Sequence, residues 1–245
     1  METLEKEKDL NSKISLYRNE NSVVTDAFDR TIFNICLQKE KYGHKTFLLC
    51  GCEPRVGTTT ISVELAISLS VAGWKVLLLD GDLRKEKKYK RLNDGSLVGL
   101  ADCICGSASK EEIIRKTNWY NLDYMPSGNV DDYSPINLLY ANKMVGIIDE
   151  VKNDYDFILI DAPALSAAVD ASIFAVQADA TILIAAMDGR KRKWLNQTYD
   201  LLVSSDVNVI GVIENRVDMK EYKNYINNFN YFKNKQYIKK ARRKK

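Results

Sequence analysis

Five short runs of apolar residues alternate along this 245-residue chain with segments that carry helical periodicity. Each run is nearly continuous in apolar residues, which is the pattern of strands buried on both faces of a sheet. The runs occupy residues 47–50, 75–80, 156–161, 180–185 and 207–213. This alternation predicts an α/β fold of three layers, with helices on both faces of a mainly parallel central sheet. Ligands bind such sheets at the carboxyl ends of the strands.

Composition divides the chain into three parts. Residues 1–22 are polar and predict a loosely held N-terminal arm. Residues 23–218 carry the core pattern and predict one domain, and residues 219–245, rich in Asn, Lys and Tyr, predict a C-terminal tail. No run approaches the roughly 18 apolar residues of a membrane span, and the first residues lack the apolar segment of a secretory signal. We therefore expect a cytoplasmic protein.

The basic character of the chain comes from its end. The formal net charge is +3, and residues 239–245 carry six positive charges, so the rest of the chain is slightly acidic. This distribution argues against a nucleic-acid-binding face on the core. The terminal run itself is either solvated or makes a peripheral contact with anionic lipid at a membrane.

Two Cys-x-Cys pairs, one at Cys50 and Cys52 and one at Cys103 and Cys105, raise the question of a metal site. Zinc would require the pairs to converge and more often uses wider spacing. Because Cys50 closes an apolar strand, buried and unreactive thiols are the favoured interpretation.

The segment at residues 50–60, CGCEPRVGTTT, lies between the first strand and a helix. A tight turn followed by a helix N-terminus presents backbone N–H groups that bind phosphate. Gly57 supplies a permissive backbone, Thr58 and Thr60 lie in the first helical turn, and the hydroxyl of Thr59 occupies the Mg²⁺ position. A working loop of this kind ends Gly-Lys-Ser/Thr, and Thr58 replaces the lysine. The ammonium group for the β- and γ-phosphates is therefore missing, which predicts weakened nucleotide binding.

Acidic residues follow two of the predicted strands. Asp80 and Asp82 come directly after the second run, and Asp161 follows the third. Carboxylates at a phosphate site hold Mg²⁺ or accept a proton from an attacking hydroxyl. The alternatives are a charge-balanced surface turn for the first two acids and a strand cap for Asp161.

In order and spacing, these segments resemble the bacterial tyrosine kinases (BY-kinases) of capsule and exopolysaccharide synthesis. BY-kinases are P-loop proteins related to the Min/Par partition ATPases. The resemblance spans about residues 24–217. It rests on the segments LLLDGDLRK, LVGLADCICG, NLDYMPSGNVDDYSPINLL, DFILIDAPAL, VDASIFAVQADATILIA and VIGVIENRV.

The resemblance implies a P-loop fold, ATP and Mg²⁺ as cofactors, and phosphorylation of tyrosines in the protein's own tail. By position, Asp80 and Asp82 are implied as metal ligand and catalytic base, and Asp161 and Thr59 as further metal ligands. The residues implied to surround ATP are Arg55, Val56, Gly57, Thr58, Thr59, Thr60, Asn215 and Arg216, the last two facing the adenine. The resemblance also implies a separate membrane-spanning activator that controls polysaccharide chain length, and a location at the inner face of the membrane through that partner.

Three departures from the family pattern concern charge. The family loop reads Pro-Gly-x-Gly-Lys-Ser/Thr, whereas here Arg55 replaces the first glycine, and Glu53 occupies the position of the second lysine of partition ATPases. Arg55 either substitutes for the missing cation or points into solvent. The oligomerisation helix of the family reads Glu-x-x-Arg-x-x-Arg, and Asp26, Asp29 and Ile32 stand there instead. A family-type homo-oligomer is therefore less favoured.

The tail contains a group of tyrosines, which either receive phosphate, as the resemblance implies, or dock as aromatic side chains on the core. They are Tyr222, Tyr225, Tyr231 and Tyr237.

The leading expectation is a BY-kinase-like protein of capsular or exopolysaccharide biosynthesis whose tyrosine autophosphorylation is impaired or lost, leaving a scaffold. One alternative is an active tyrosine kinase that phosphorylates its own tail, and another is a nucleotide-switch ATPase of the Min/Par type. The retained Asp80, Asp82 and Asp161 argue against the scaffold, because clustered acids are energetically costly without a role.

Overall fold

The computed structural model describes residue 16 and residues 22–83, 98–128, 142–168, 170–186 and 192–218. The strands of this part of the chain are β1 (Thr46–Gly51), β2 (Val76–Asp80), β3 (Arg115–Lys116), β4 (Leu122–Met125), β5 (Phe157–Ala162), β6 (Ala180–Ala186) and β7 (Val209–Asn215). The helices are α1 (Ser22–Tyr42), α2 (Thr58–Val71), α3 (Leu100–Cys105), α4 (Lys110–Ile113), α5 (Asn142–Lys152), α6 (Asp170–Gln177) and α7 (Arg192–Val203).

The described strands form one sheet in the order β3-β4-β2-β5-β1-β6-β7. Every neighbouring pair is parallel except β3 and β4, which are antiparallel. The five predicted strands are all present as β1, β2, β5, β6 and β7. The sequence reading missed β3 and β4, because two- and four-residue strands that contain charged side chains lack a continuous apolar run.

Two apolar clusters, one on each face of the sheet, form the core. On one face, side chains of β1, β2 and β5 pack with α2 and with Ile35 of α1. On the other face, side chains of the same strands pack with α3, α5, α6 and α7. The predicted three-layer α/β architecture is therefore confirmed. Residues 61–70 of α2 are buried throughout, because α2 lies between the sheet and α1.

The Cys50 and Cys52 side chains are buried, as predicted for structural thiols. Burial raises the pKa of both, to about 11 for Cys52, so neither thiol ionises at neutral pH. The described residues contain no group of three or more His, Cys, Asp or Glu side chains placed to hold a metal ion. Likewise, none of the described helices has the length and apolar character needed to cross a membrane.

An ionic cluster fixes the amino end of the sheet. One carboxylate oxygen of Asp179 accepts the backbone N–H groups of Lys45 and Thr46, at 2.8 and 2.9 Å. The other oxygen accepts the ammonium of Lys152 at 2.6 Å. Burial alone would raise the pKa of Asp179. The hydrogen bonds and the charge of Lys152 together lower it by more, so the pKa lies below its ordinary value of 3.8.

We expect Asp179→Asn to lower the free energy of unfolding at neutral pH by about 2 kcal/mol, because it removes a charged hydrogen-bond acceptor. A carboxylate with a lowered folded pKa stabilises the fold above its unfolded pKa, and this contribution is lost as the pH falls through the folded value. The difference between mutant and wild type should therefore shrink below pH 3.8. Urea unfolding at neutral and acidic pH measures it, with Asp200→Asn on an exposed helix face as the charge-matched control. Equal stability of both mutants at neutral pH would contradict the assignment.

Candidate functional site

The loop between β1 and α2 crosses the carboxyl end of the sheet, where the sequence predicts a phosphate site. Gly57 precedes the first residue of α2 and has a φ of 97°, a left-handed conformation that favours glycine. A side chain there would also collide with Asn215, since a Cβ would lie 2.5 Å from its Nδ2 atom. Arg55 is left-handed as well, with a φ of 66°. The glycine position of the family therefore keeps its glycine-like conformation here although an arginine occupies it.

Thr58 is the first residue of α2, immediately after the Gly57 turn. Its carbonyl accepts the hydroxyl of Ser62 one helical turn later, at 3.0 Å. Its own Oγ1 lies close to the end of β1, 2.9 Å from the position that a Cβ on Gly51 would take. The side chain that replaces the lysine is thus a short hydroxyl lying over the strand end. Arg55 is exposed, and both alternatives for its side chain stay predictions.

The end of β7 holds the loop from its carbonyl side. The side-chain amide of Asn215 donates to the carbonyl of Val56 at 2.7 Å. The guanidinium of Arg216 donates to the carbonyl of Arg55. The structure shows the hydrogen bonds of Asn215 and Arg216 to the loop. The adenine contact that the resemblance implies for these two residues stays a prediction.

Two buried carboxylates lie side by side beneath the loop. Asp80 on β2 and Asp161 on β5 occupy paired positions of neighbouring parallel strands, and each is 4% exposed. Asp80 accepts the Tyr124 hydroxyl at 3.3 Å and the backbone N–H of Asp82 at 3.1 Å. Asp161 accepts the hydroxyl of Ser62 at 3.2 Å. The two acids that the sequence placed at different strand ends are therefore neighbours.

Comparison with known proteins fits this arrangement. The family model described as an AAA domain matches residues 51–199. Tyrosine-protein kinase CpsD of Streptococcus agalactiae is 35% identical over 166 residues, which cover 66% of this chain and 71% of that protein. The chain belongs to the BY-kinase family. The EpsB protein of Ralstonia solanacearum, also a tyrosine-protein kinase by name, is 28% identical over 194 residues, or 79% of this chain.

Solved structures agree with the BY-kinase assignment. The kinase domain of VpsO superposes with a TM-score of 0.66 at 26% identity, covering 78% of this chain and 99% of that one. MinD of Pyrococcus horikoshii, solved in complex with Mg-ADP, superposes with a TM-score of 0.55 at 23% identity over 69% of each chain, which shows a shared fold. This BY-kinase chain spans about a quarter of the length of the first curated relatives that it matches, 26% in the case of EpsB.

The acid pair of this BY-kinase chain fits a divalent cation. Two carboxylates buried at adjacent strand positions repel one another unless a proton or cation lies near both. Mg²⁺ is usually held through one or two carboxylates, together with water and phosphate oxygens. Asp80, Asp161 and the half-buried Thr59 supply oxygen ligands of this kind. The loop fits the phosphate groups of a nucleotide less well, because it offers only backbone N–H groups and hydroxyls where the family has a lysine.

Sequence reasoning missed two residues that contact the acids. Ser62 lies four residues after Thr58 and therefore on the same face of α2, so helical spacing was a usable signal. Tyr124 lies on the short strand β4, which was not predicted, and nothing in the sequence pairs it with Asp80. The tail tyrosines Tyr222, Tyr225, Tyr231 and Tyr237 and the basic run 239–245 lie outside the described residues. Their roles stay predictions.

Proposed function

We propose that this chain is a BY-kinase-type scaffold of capsular or exopolysaccharide biosynthesis whose ATP-dependent tyrosine autophosphorylation is impaired or lost. The observation that carries the proposal is Thr58, which begins α2 directly after the left-handed Gly57. At this position a lysine would neutralise phosphate charge, and a threonine hydroxyl is both shorter and uncharged.

The size of the defect follows from the charge that is absent. A hydrogen bond to a charged group contributes about 1.5–3 kcal/mol, so its loss weakens nucleotide binding by about one to two orders of magnitude. Phosphoryl transfer should decline further, because negative charge on the transferred group must be stabilised in the transition state. Glu53 at the start of the loop is acidic and adds no compensating cation.

Residual binding of ATP and Mg²⁺ remains part of the proposal. Asp80, Asp161 and Thr59 would hold the cation, which when bound neutralises phosphate charge. Backbone N–H groups around Gly57 and at the N-terminus of α2 would contact the phosphates. Asn215 and Arg216 keep the loop in place through its carbonyl groups. These residues bind and orient, and none of them supplies the missing lysine charge.

An active kinase is the second candidate, and the acid pair favours it. Asp80 and Asp161 remain buried, paired in register and hydrogen-bonded to Tyr124 and Ser62. An abandoned site would have no need for two neighbouring buried carboxylates. In this case Asp82 would act as the base toward a tail tyrosine.

A separate membrane-spanning activator is the partner that we propose, and it would place the chain at the inner face of the cell membrane. The proposal rests on family membership. A homo-oligomer is less favoured, because α1 presents the exposed Asp29 where the family has an arginine.

The full chain, produced in its native cells, separates the two candidates. We expect mass spectrometry to find Tyr222, Tyr225, Tyr231 and Tyr237 without phosphate. We also expect wild type and Asp161→Asn to restore polysaccharide chain length equally in a strain that lacks the gene. Asparagine matches the shape of aspartate, and equal protein levels provide the control. Phosphate on the wild-type tail that Asp161→Asn removes, together with failed rescue by that variant, would establish the active kinase.

A further inference from the structure

Leu16, within the segment predicted as a loose polar arm, is held in place by three hydrogen bonds. The side-chain amide of Asn118 forms hydrogen bonds with both the N–H and the carbonyl of this one residue. Its Oδ1 accepts the Leu16 N–H at 2.7 Å, and its Nδ2 donates to the Leu16 carbonyl at 3.1 Å. The indole Nε1 of Trp119 donates to the same carbonyl at 2.8 Å. The prediction of a loosely held arm therefore does not apply to Leu16.

The side chain of Leu16 is buried as well. It is 1% exposed and belongs to the apolar cluster that contains Ile35 of α1. Phe28, Ile32 and Trp119 pack against this cluster. Backbone and side chain of Leu16 are thus held by different groups, the backbone by the polar atoms of Asn118 and Trp119 and the side chain by an apolar cluster.

The turn that carries these two residues is braced independently of Leu16. Asn118 and Trp119 connect β3 to β4. The hydroxyl of Thr117 donates to the carbonyl of Leu122 at 2.8 Å and accepts the N–H of Trp119 at 3.1 Å. Because these bonds lie within the turn itself, Asn118 and Trp119 are positioned before a ligand arrives.

We propose that Asn118 and Trp119 form a peptide-binding site for an extended segment centred on a leucine, and that its occupant is the N-terminal arm of this chain. A side chain that pairs with both the N–H and the carbonyl of one residue imitates a neighbouring strand and is indifferent to sequence. Burial of the side chain in the apolar cluster adds selection for an apolar residue such as leucine. A contact made of three hydrogen bonds and one buried side chain opens reversibly without unfolding the core.

Docking of the arm also affects α1. Five residues separate Leu16 from Ser22, the first residue of α1. Because this length of chain spans at most about 20 Å, an anchored Leu16 keeps the start of α1 within that distance. The inner face of α1 contributes Ile35 to the same cluster. Release of the arm would therefore lift this limit on the start of α1 and withdraw Leu16 from the cluster to which Ile35 contributes.

Competition between the arm and the same segment supplied as a peptide tests this site. The probe is a fluorescent peptide of residues 11–21, NSKISLYRNEN, added to the full chain and followed by anisotropy. In wild type the arm occupies the site, so the added peptide binds only the fraction of molecules in which the arm is released. The apparent peptide affinity is therefore the intrinsic affinity multiplied by that fraction. The substitution Leu16→Ala weakens docking of the chain's own arm. The Leu16→Ala protein should therefore bind the peptide about tenfold more tightly than wild type does.

Two controls define the binding site. Asn118→Ala, combined with Leu16→Ala, should lower peptide affinity about tenfold, since one side chain supplies two hydrogen bonds. A peptide with alanine in place of its leucine should bind Leu16→Ala about tenfold more weakly than the leucine peptide does, because it cannot fill the apolar cluster. Absence of peptide binding by folded Leu16→Ala, or binding that neither control weakens, would overturn the proposal.

A second measurement avoids dependence on the folding of Leu16→Ala. Hydrogen exchange in wild type should show the amide of Leu16 protected, and Asn118→Ala should accelerate its exchange at least about tenfold, because the acceptor is removed. Exchange in β5, at the centre of the sheet, should be unchanged. Fast exchange at Leu16 in wild type would contradict a docked arm.

Discussion

Replacing Thr58 with lysine is expected to raise the affinity of the chain for ATP·Mg²⁺ by about one to two orders of magnitude. The new ammonium group would extend from the first residue of α2 and supply the cation that a phosphate-binding loop of this kind requires. The remaining parts are already in place, since Gly57 is left-handed and Asp80 and Asp161 are paired beneath the loop. Isothermal titration calorimetry of wild type and mutant measures the difference directly.

The control for this prediction adds the same charge at the other end of the same helix. Ala72 is exposed and caps the carboxyl end of α2, about 20 Å from the loop. Ala72→Lys should leave ATP affinity unchanged, because surface charges at this distance are screened by salt. If Thr58→Lys and wild type bind ATP·Mg²⁺ equally, the missing lysine does not explain the behaviour of the loop.

Gly99→Ala is expected to lower the free energy of unfolding by about 3 kcal/mol. Gly99 precedes α3, and a Cβ there would meet the backbone of Pro126 and Gly128, including the Gly128 Cα at 2.8 Å. The two segments are joined by backbone hydrogen bonds, from Leu100 N–H to the Pro126 carbonyl at 2.8 Å and from Ala101 N–H to the Ser127 carbonyl at 3.0 Å. Backbone atoms cannot rotate away as a side chain can, so these bonds must lengthen.

Urea unfolding of the two proteins gives this difference in stability. Gly146→Ala is the matched control, because Gly146 lies within α5 and a Cβ there meets nothing within 4 Å. Alanine should stabilise that helix by about 0.5–1 kcal/mol, so the two identical substitutions are expected to act in opposite directions. A Gly99→Ala protein as stable as wild type would show that the two segments are less closely packed than the structure has them.

The fold could be read from the sequence because its signal is local. Each central strand is a continuous apolar run, and β1, β2, β5, β6 and β7 were all found in this way. The order of the strands in the sheet cannot be read from local sequence. The rule that ligands bind at the carboxyl ends of parallel strands nevertheless predicted that the loop, Asp80 and Asp161 lie at one edge. Resemblance to the BY-kinases supplied the family.

What the sequence did not reveal depends on contacts between distant residues. Tyr124 meets Asp80, Asn215 meets Val56, and Asn118 meets Leu16, across 44, 159 and 102 positions of the chain. No periodicity links such pairs, so only the folded chain brings them together. Leu16 shows this most clearly, because nothing in the sequence distinguishes it from the other apolar residues scattered through the polar arm.

The central claim is that the loop of this BY-kinase chain holds ATP·Mg²⁺ weakly, and thermal unfolding of the wild-type full chain tests it most directly. A ligand that binds the folded state raises the unfolding temperature by mass action. In the presence of Mg²⁺, we predict that ATP shifts the wild-type midpoint little and shifts that of Thr58→Lys by several degrees. A wild-type shift as large as that of Thr58→Lys would contradict the scaffold and identify a nucleotide site that works without the lysine.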